Sequence, residues 1–195
     1  MLLRMKVLLI DNNDSFTYNI IELLRSIGEV EGVIVPSAEL NILQLDEFDH
    51  IVISPGPMRP KDFPILSEVI EYCFTTHKPL LGICLGHQAI GEYFGGKLVQ
   101  LNSVVHGQRR QIAIDTSSLL YVNLPDNIEV GLYHSWAIEH STLPSSLKAT
   151  GFTADSCLMS IEHSERAIFG IQFHPESFMT TQGRQIIENF LNIKR

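Results

Sequence analysis

A cysteine between two glycines is the residue of this sequence with the clearest chemical meaning. Residues 79–88 read as a short apolar strand, the turn Gly82-Ile83-Cys84-Leu85-Gly86 and the start of a helix. This is the layout of a nucleophile elbow with cysteine in place of serine. The glycines permit a tight turn, and the N-terminus of the following helix favours a thiolate. We therefore interpret Cys84 as a candidate nucleophile, against the commoner role of a free cysteine as a small core residue.

A cysteine nucleophile needs a general base, and the base needs a group that orients it. His174 and Glu176 follow the apolar run 167–173, which we predict to be a strand. Pro175 favours an extended conformation at His174, and residues i and i+2 of an extended chain project to the same side. The spacing predicts His174 as the base, with Glu176 fixing its tautomer. An ordinary surface turn would carry the same residues.

The developing negative charge on the substrate oxygen requires fixed N–H donors. Leu85, the residue after the candidate nucleophile, would supply one such group. The segment Ser54-Pro55-Gly56-Pro57 could supply another, because Gly56 has the only N–H among residues 55–57. The alternative for this segment is an ordinary proline–glycine turn.

The remaining cysteines and histidines suggest structural roles. Cys73 belongs to the apolar stripe of a predicted helix and is assigned to the core. Cys84 and His87 have a possible two-ligand spacing, but no second pair follows, so no metal site is predicted and His87 is expected to pack in or cap the helix. Four histidines in polar surroundings are expected to be solvated: His50, His77, His140 and His163.

The elements around these residues alternate in the first half of the chain. Apolar runs at 6–10, 33–35, 51–53 and 80–83 predict buried strands, with helices over 16–27, 65–74 and from Cys84 to about Gly95. Short strands are predicted later, at 98–101, 111–114, 129–133, 157–162 and 167–173, before a closing helix over 186–191. This predicts an α/β fold in one domain, residues 1–195: an open, twisted, mostly parallel, flavodoxin-like sheet with helices on both faces and antiparallel strands added in the second half.

Sites in such sheets form at the carboxyl ends of the strands. Three loops are expected there: residues 11–15, residues 54–60 and the turn around Cys84.

Composition excludes several classes of function. The chain has 195 residues, is 45% hydrophobic and carries a formal charge of −8. That charge argues against non-specific binding to nucleic acid or to an anionic membrane. No apolar run approaches the roughly 20 residues of a spanning helix, and residues 1–7 lack a signal-peptide cleavage site. Three cysteines without Cys-x-x-Cys spacing suggest a reducing compartment, the cytoplasm.

Six segments, taken together, resemble the class I (triad) glutamine amidotransferases over essentially the whole chain. The first segment, residues 11–19, is typical of the branch that serves chorismate-using synthases, rather than of the GMP, CTP or carbamoyl-phosphate synthetases. The segments are Asp11-Asn12-Asn13-Asp14-Ser15-Phe16-Thr17-Tyr18-Asn19, Ser54-Pro55-Gly56-Pro57, Gly82-Ile83-Cys84-Leu85-Gly86-His87-Gln88, Tyr133-His134-Ser135, Phe173-His174-Pro175-Glu176-Ser177 and Thr180-Thr181-Gln182-Gly183.

The resemblance implies a mechanism. Cys84 would attack the side-chain amide of L-glutamine, and the N–H groups of Gly56 and Leu85 would stabilise the oxyanion. His174, oriented by Glu176, would move the proton and release ammonia before the thioester is hydrolysed. The residues implied to hold glutamine are Gly56, Pro57, Met58, Gln88, Ser135 and Trp136. Two of them depart from the family pattern, which has glycine at position 58 and leucine at position 136.

The resemblance also implies a partner. Ammonia would pass to a larger chorismate-binding synthase subunit in a hetero-oligomer. Residues 11–19 are expected at or near the interface with this subunit, because they follow a strand end beside the site. Anthranilate, for tryptophan synthesis, is the expected product; aminodeoxychorismate, for folate, or both products are the alternatives. No cofactor is expected in this chain, and Mg²⁺ is expected on the partner. A stand-alone γ-glutamyl hydrolase and a non-enzymatic glutamine sensor remain alternative functions.

Overall fold

The computed structural model describes residues 4–194, apart from the side chains of Asn102 and Ser103; residues 1–3, part of the segment considered for a signal peptide, lie outside it. Within this part of the chain, nine strands form one sheet. They are β1 (Met5–Asp11), β2 (Val30–Pro36), β3 (His50–Ile53), β4 (Leu80–Ile83), β5 (Leu98–Ile114), β6 (Asn127–Ile138), β7 (Leu147–Thr153), β8 (Leu158–His163) and β9 (Ile168–Ile171). The α-helices of the described residues are α1 (Thr17–Arg25), α2 (Ile65–Thr76), α3 (Leu85–Tyr93) and α4 (Gly183–Leu191).

The order of strands across the sheet is β2-β1-β3-β4-β9-β8-β7-β5-β6. The first five run parallel, and β8, β7, β5 and β6 extend the sheet through antiparallel pairs. The late strand β9 therefore lies in the middle, between the parallel and antiparallel parts. The predicted α/β class, mostly parallel in its first half with antiparallel additions, is confirmed.

The central strands are buried on both faces because helices cover the sheet on each side. Alternate residues of β1 enter different cores, as the period-2 geometry of a strand requires. Val7 and Leu9 pack in the core that contains the apolar residues of α1 and α4, whereas Leu8 and Ile10 pack in the core that contains those of α2 and α3. Uninterrupted apolar strands are the sequence signature of such a two-sided core.

Two features of the sheet differ from the sequence-based expectation. β5 is one strand from Leu98 to Ile114, not two short ones. Its pairing with β6 shifts register at two irregularities, between Gln100 and Val105 and between His106 and Gln108. β7 was not predicted, because its Ala149-Thr150-Gly151 centre has weak β propensity. β7 forms through its pairing with β5 and β8, which sequence patterning does not reveal.

Two of the four histidines expected to be solvated are buried, so that prediction was wrong for them. His50 is 5% and His163 is 8% exposed, whereas His77 and His140 are exposed. The His50 ring hydrogen bonds through Nε2 to the Ile193 carbonyl, and the His163 ring packs against Phe74. An imidazole can be part of a core when its ring packs against other side chains and a ring nitrogen is hydrogen bonded. Burial lowers the pKa of both histidines.

Among the residues described, no helix has both the length and the apolar character needed to cross a bilayer.

Candidate active site

Cys84 lies at the junction of β4 and α3, at the carboxyl edge of the parallel strands. Its backbone has φ 51° and ψ −97°, a strained conformation for a residue with a side chain. The Cys84 N–H donates to the Ile171 carbonyl at 2.8 Å, which ties the turn to β9. A Cβ at Gly82 would lie 2.4 Å from the Gly86 carbonyl carbon, so the strand and helix approach closely only with glycine there. The thiol is 7% exposed.

His174 and Glu176 are brought to the same edge by the loop that follows β9. The His174 Nδ1 and Glu176 Oε1 atoms are 2.6 Å apart, and both side chains are buried. The contact is made across a turn, closed by the Ser177 N–H and the His174 carbonyl, rather than along an extended segment as we expected. Because Nδ1 faces the carboxylate, it carries the hydrogen and the imidazole tautomer is fixed.

The second ring nitrogen of His174 is not used by the Glu176 contact. Nε2 is buried and has no hydrogen-bond partner among the described residues, and Cys84 is one of the two side chains that interact with the ring electrostatically. Burial by itself lowers the pKa of His174, but the interactions of the ring with Cys84 and Glu176 outweigh it and raise the pKa to about 10. The raised pKa favours the imidazolium form of the ring at neutral pH.

Aromatic rings hold this imidazole from the sides. The centroid of the Tyr133 ring is 4.8 Å and that of Phe16 is 5.4 Å from the His174 ring. The Tyr133 hydroxyl lies 3.1 Å from Ser177 Oγ, and the Thr180 hydroxyl donates to the His174 carbonyl at 2.6 Å. Sequence analysis gave Phe16 and Tyr133 no role in the site. The only indication was that each belongs to one of the six segments that resemble the class I amidotransferases.

The predicted oxyanion donors are neighbours in space. A Cβ on Gly56 would lie 2.6 Å from Leu85 Cδ2 and 2.8 Å from Asn12 Cβ, so only glycine fits between them. Neither the Gly56 nor the Leu85 N–H donates to a protein acceptor within residues 4–194. Asn12 holds the loop, because its N–H donates to Ser54 Oγ at 3.0 Å and its Nδ2 to the Ser54 carbonyl at 3.0 Å. Two N–H groups without a protein acceptor in this part of the chain thus lie on neighbouring segments, one of them on the residue that follows Cys84.

Gln88 lies on α3 and is linked to two other parts of the site. Its Nε2 donates to the Trp136 carbonyl at 2.8 Å and to Gln172 Oε1 at 3.1 Å. Both amide hydrogens are thereby used within the protein, and Oε1 is left as the atom that can accept from a ligand. The Trp136 carbonyl also accepts from His134 Nδ1 at 2.9 Å, which fixes the backbone beside Ser135.

The two residues that depart from the family pattern flank this cleft. Met58 is 66% exposed and adopts φ 67°, a left-handed conformation that favours glycine and explains the usual residue at this position. Pro57 beside it is also exposed. The guanidinium of Arg59 lies 5.0 Å from the centre of the Trp136 ring, a cation–π contact that connects the two walls.

Other titratable groups are less suited to chemistry. Burial raises the pKa of the Cys157 thiol to about 11, and Cys73 is fully buried in the core. His87 is fully buried, and its burial lowers the pKa to about 3, so it packs as a neutral ring. No group of three or more histidine, cysteine, aspartate or glutamate side chains placed to hold a metal occurs in the described part of the chain.

Residues 8–193 match the family described as glutamine amidotransferase class-I. The chain belongs to this family. The amidotransferase is 39% identical over 199 residues to anthranilate synthase component 2 of Azospirillum brasilense, covering 97% of this chain and 96% of that protein. It is 37% identical over 191 residues to the aminodeoxychorismate/anthranilate synthase component 2 of Bacillus subtilis, covering 97% of each.

A solved structure from Thermoplasma acidophilum, provisionally described as a GMP synthase component, superimposes on the amidotransferase with a TM-score of 0.87 at 29% identity, covering 98% of this chain and 94% of that chain.

Proposed function

We propose that this chain is the glutaminase subunit of anthranilate synthase, which hydrolyses L-glutamine and passes ammonia to a separate synthase subunit. The observation that carries the proposal is the buried His174–Glu176 pair, whose imidazole ring also interacts with Cys84. The names of the relatives favour the anthranilate reaction. The whole of residues 1–195 would act as one amidotransferase domain.

The proposed reaction has two halves. The Cys84 thiolate adds to the amide carbon of glutamine, and the Gly56 and Leu85 N–H groups bind the oxygen that becomes negative. The His174 imidazolium gives its proton to the amide nitrogen, the C–N bond breaks, and ammonia leaves a γ-glutamyl thioester. A water then gives a proton to His174 and adds to the thioester carbon; the C–S bond breaks and glutamate leaves. Glu176 keeps Nδ1 protonated throughout.

Glutamine would lie in the cleft between the Gly56 loop and the strand that carries Ser135. Gln88 Oε1 is placed to accept a hydrogen bond from the substrate ammonium group, since its Nε2 is occupied. Pro57 and Met58 would form one wall and Trp136 the other. The contact of Arg59 with Trp136 supports this, because it holds a cation near the cleft, where the substrate carboxylate needs one.

The synthase subunit would dock where the site opens. Three large apolar side chains beside the site are exposed: Tyr18 (71%), Met58 (66%) and Phe178 (81%). Tyr18 belongs to residues 11–19, the segment whose Phe16 packs on His174. Exposed apolar residues around a site mark a protein interface. We propose that this chain works without its own cofactor in the cytoplasm and that Mg²⁺ is bound by the synthase subunit.

A second candidate is the glutaminase subunit of aminodeoxychorismate synthase, or one subunit serving both enzymes. The name of the Bacillus subtilis relative favours it, since that protein is named for both products. Identifying the large subunit that co-purifies with this chain, and the product formed by the complex, distinguishes the candidates.

The proposal is tested with Cys84→Ser in the complex. We expect glutamine-dependent product formation to be abolished and ammonia-dependent formation to persist, because only glutamine hydrolysis uses Cys84. Product from chorismate is measured with each nitrogen source. Loss of both activities in an intact complex would refute the division of labour, and full glutaminase activity of the wild-type chain with no response to any synthase subunit would refute the subunit role.

The docking surface is tested in the same complex with Tyr18→Ser and Phe178→Ser. Both should weaken co-elution with the synthase subunit. Leu43→Ser is the matched control, because Leu43 is 84% exposed but lies in the connection that leads to the opposite end of β3. Equal co-elution of all three variants would contradict the placement.

A further inference from the structure

Gln172 is the first residue after β9 and lies two residues before His174. Its side chain is fully buried, and its Nε2 lies 3.4 Å from Cys84 Sγ, within hydrogen-bond reach of a sulphur acceptor. Sequence analysis assigned it no function. The nucleophile therefore has two neighbours of different chemistry, the ring of His174 and an uncharged amide.

The orientation of the Gln172 amide is fixed by a chain of hydrogen bonds. The chain begins at the Trp136 carbonyl, which can only accept, so the donor facing it must be Gln88 Nε2. The same nitrogen donates to Gln172 Oε1, which leaves Gln172 Nε2 turned to the sulphur. Flipping the Gln172 amide would place two NH₂ groups against each other. The N–H donor is thus directed at Cys84 by the protein.

We propose that Gln172 is a catalytic residue whose amide N–H stabilises the thiolate of Cys84. The inference rests on the proposed role of Cys84 as nucleophile and deepens it. A hydrogen bond to a charged acceptor is about twice as strong as one to a neutral acceptor, so the contact favours thiolate over thiol. The amide is neither protonated nor deprotonated near neutral pH, so it cannot take the place of His174 in proton transfer.

The same contact acts at the end of the cycle. Sulphur is a weak acceptor in the thioester and becomes a strong one when the C–S bond breaks. Gln172 therefore assists departure of the thiolate during hydrolysis, and its loss should reduce kcat more than it changes KM.

The first test is the pH dependence of Cys84 alkylation in Gln172→Met. Methionine has a similar length and no donor. Iodoacetamide modification is followed by mass spectrometry of the Cys84 peptide, which separates it from Cys73 and Cys157. We expect the pH midpoint of alkylation to rise by about one unit, with alkylation about tenfold slower at pH values below the wild-type midpoint. An unchanged rate and midpoint in the folded variant would overturn the proposal.

A second variant covers the case in which Gln172→Met does not fold. Gln172→Glu retains an oxygen to accept from Gln88 and places a carboxylate oxygen against the sulphur. We expect slower alkylation than in the wild type at pH 8. Alkylation as fast as in the wild type would overturn the proposal.

Thr150→Val is the matched control, because it removes a buried hydrogen bond, 2.9 Å to Ser160 Oγ, outside the site. Its alkylation profile should match that of the wild type. A shift in this variant as large as in Gln172→Met would show a general packing effect and overturn the proposal. Alkylation needs no substrate, so these results stand even if glutamine hydrolysis, and with it the proposed function, were not found.

Discussion

The carboxylate of Glu176 sets the charge of the proposed base. It lies 2.6 Å from His174 Nδ1, is fully buried, and is one of the groups that raise the His174 pKa to about 10. A neutral acceptor in its place would keep the shape of the site but not the charge. The imidazolium would then be less stable, and its tautomer would no longer be enforced.

Glu176→Gln should therefore lower kcat for glutamine hydrolysis by about 10⁴-fold with little change in KM, on the scale seen when the orienting acid of a triad is neutralised. Initial rates of glutamate release in the complex measure it. Glu188→Gln is the control, because it removes a carboxylate that pairs with Arg184 at 2.8 Å on the surface. A Glu176→Gln enzyme with a tenth or more of normal kcat would contradict the role.

At this scale the sequence predicted some contacts well and others not at all. His174 and Glu176 could be paired because they are two residues apart, within one loop. The contacts of Phe16 and Tyr133 with His174, and of Gln172 with Cys84, join residues distant in the chain. Such contacts depend on which strands are neighbours, and local patterns do not contain that information.

At the scale of elements, the loop of residues 54–57 packs against the first turn of α3. This packing decides whether the Gly56 and Leu85 N–H groups can bind the same oxygen. A methyl group on Gly56 would overlap Leu85 and Asn12. Gly56→Ala should push the loop away and lower kcat at least tenfold, since one oxyanion donor is worth about 10²-fold or more.

Gly28→Ala is the comparison for that substitution. Gly28 has φ +56° and open space around its Cβ position, so alanine there strains the backbone without meeting a neighbour. We expect this variant to lose stability but keep normal kcat, as measured by thermal unfolding and glutamate release. Normal kcat in Gly56→Ala would show that the loop is not part of the oxyanion site.

The elements themselves were predictable where burial is two-sided. β1, β3 and β4 are continuous apolar runs, and their identity follows from composition alone. β7 and the long β5 are partly exposed and polar, so their patterns resemble loops. These strands exist because each has a partner already in place, a tertiary effect that outweighs local propensity.

At the scale of the whole molecule, buried neutral histidines make the fold sensitive to acid. Burial lowers the pKa of His87 to about 3, against about 6.5 in an unfolded chain. Below pH 6.5 the unfolded state binds a proton that the folded state does not, so the free energy of unfolding falls as pH falls towards 3. The pKa of His50, His134 and His163 is lowered too, which adds in the same direction.

In His87→Leu the unfolded state has one histidine fewer to protonate, so the stability of this variant should depend less on pH. Between pH 7 and pH 5, we expect the variant to lose about 2 kcal/mol less of its free energy of unfolding than the wild type, because one proton contributes about 1.4 kcal/mol per pH unit. Urea titrations at the two pH values measure the difference. Equal losses in both proteins would show that His87 does not carry this acid sensitivity.

The place of β9 in the sheet has a consequence for the growing polypeptide. Cys84 leaves the ribosome 90 residues before His174 (174 − 84), and the strand that delivers His174 inserts between β4 and β8 only after the other eight strands have been made. A nascent or prematurely ended chain holds the cysteine without its base, its orienting carboxylate or Gln172. A chain that stops before β9 therefore lacks the groups proposed for glutamine hydrolysis, and Cys84 gains them only once β9 and the loop after it have folded into the sheet.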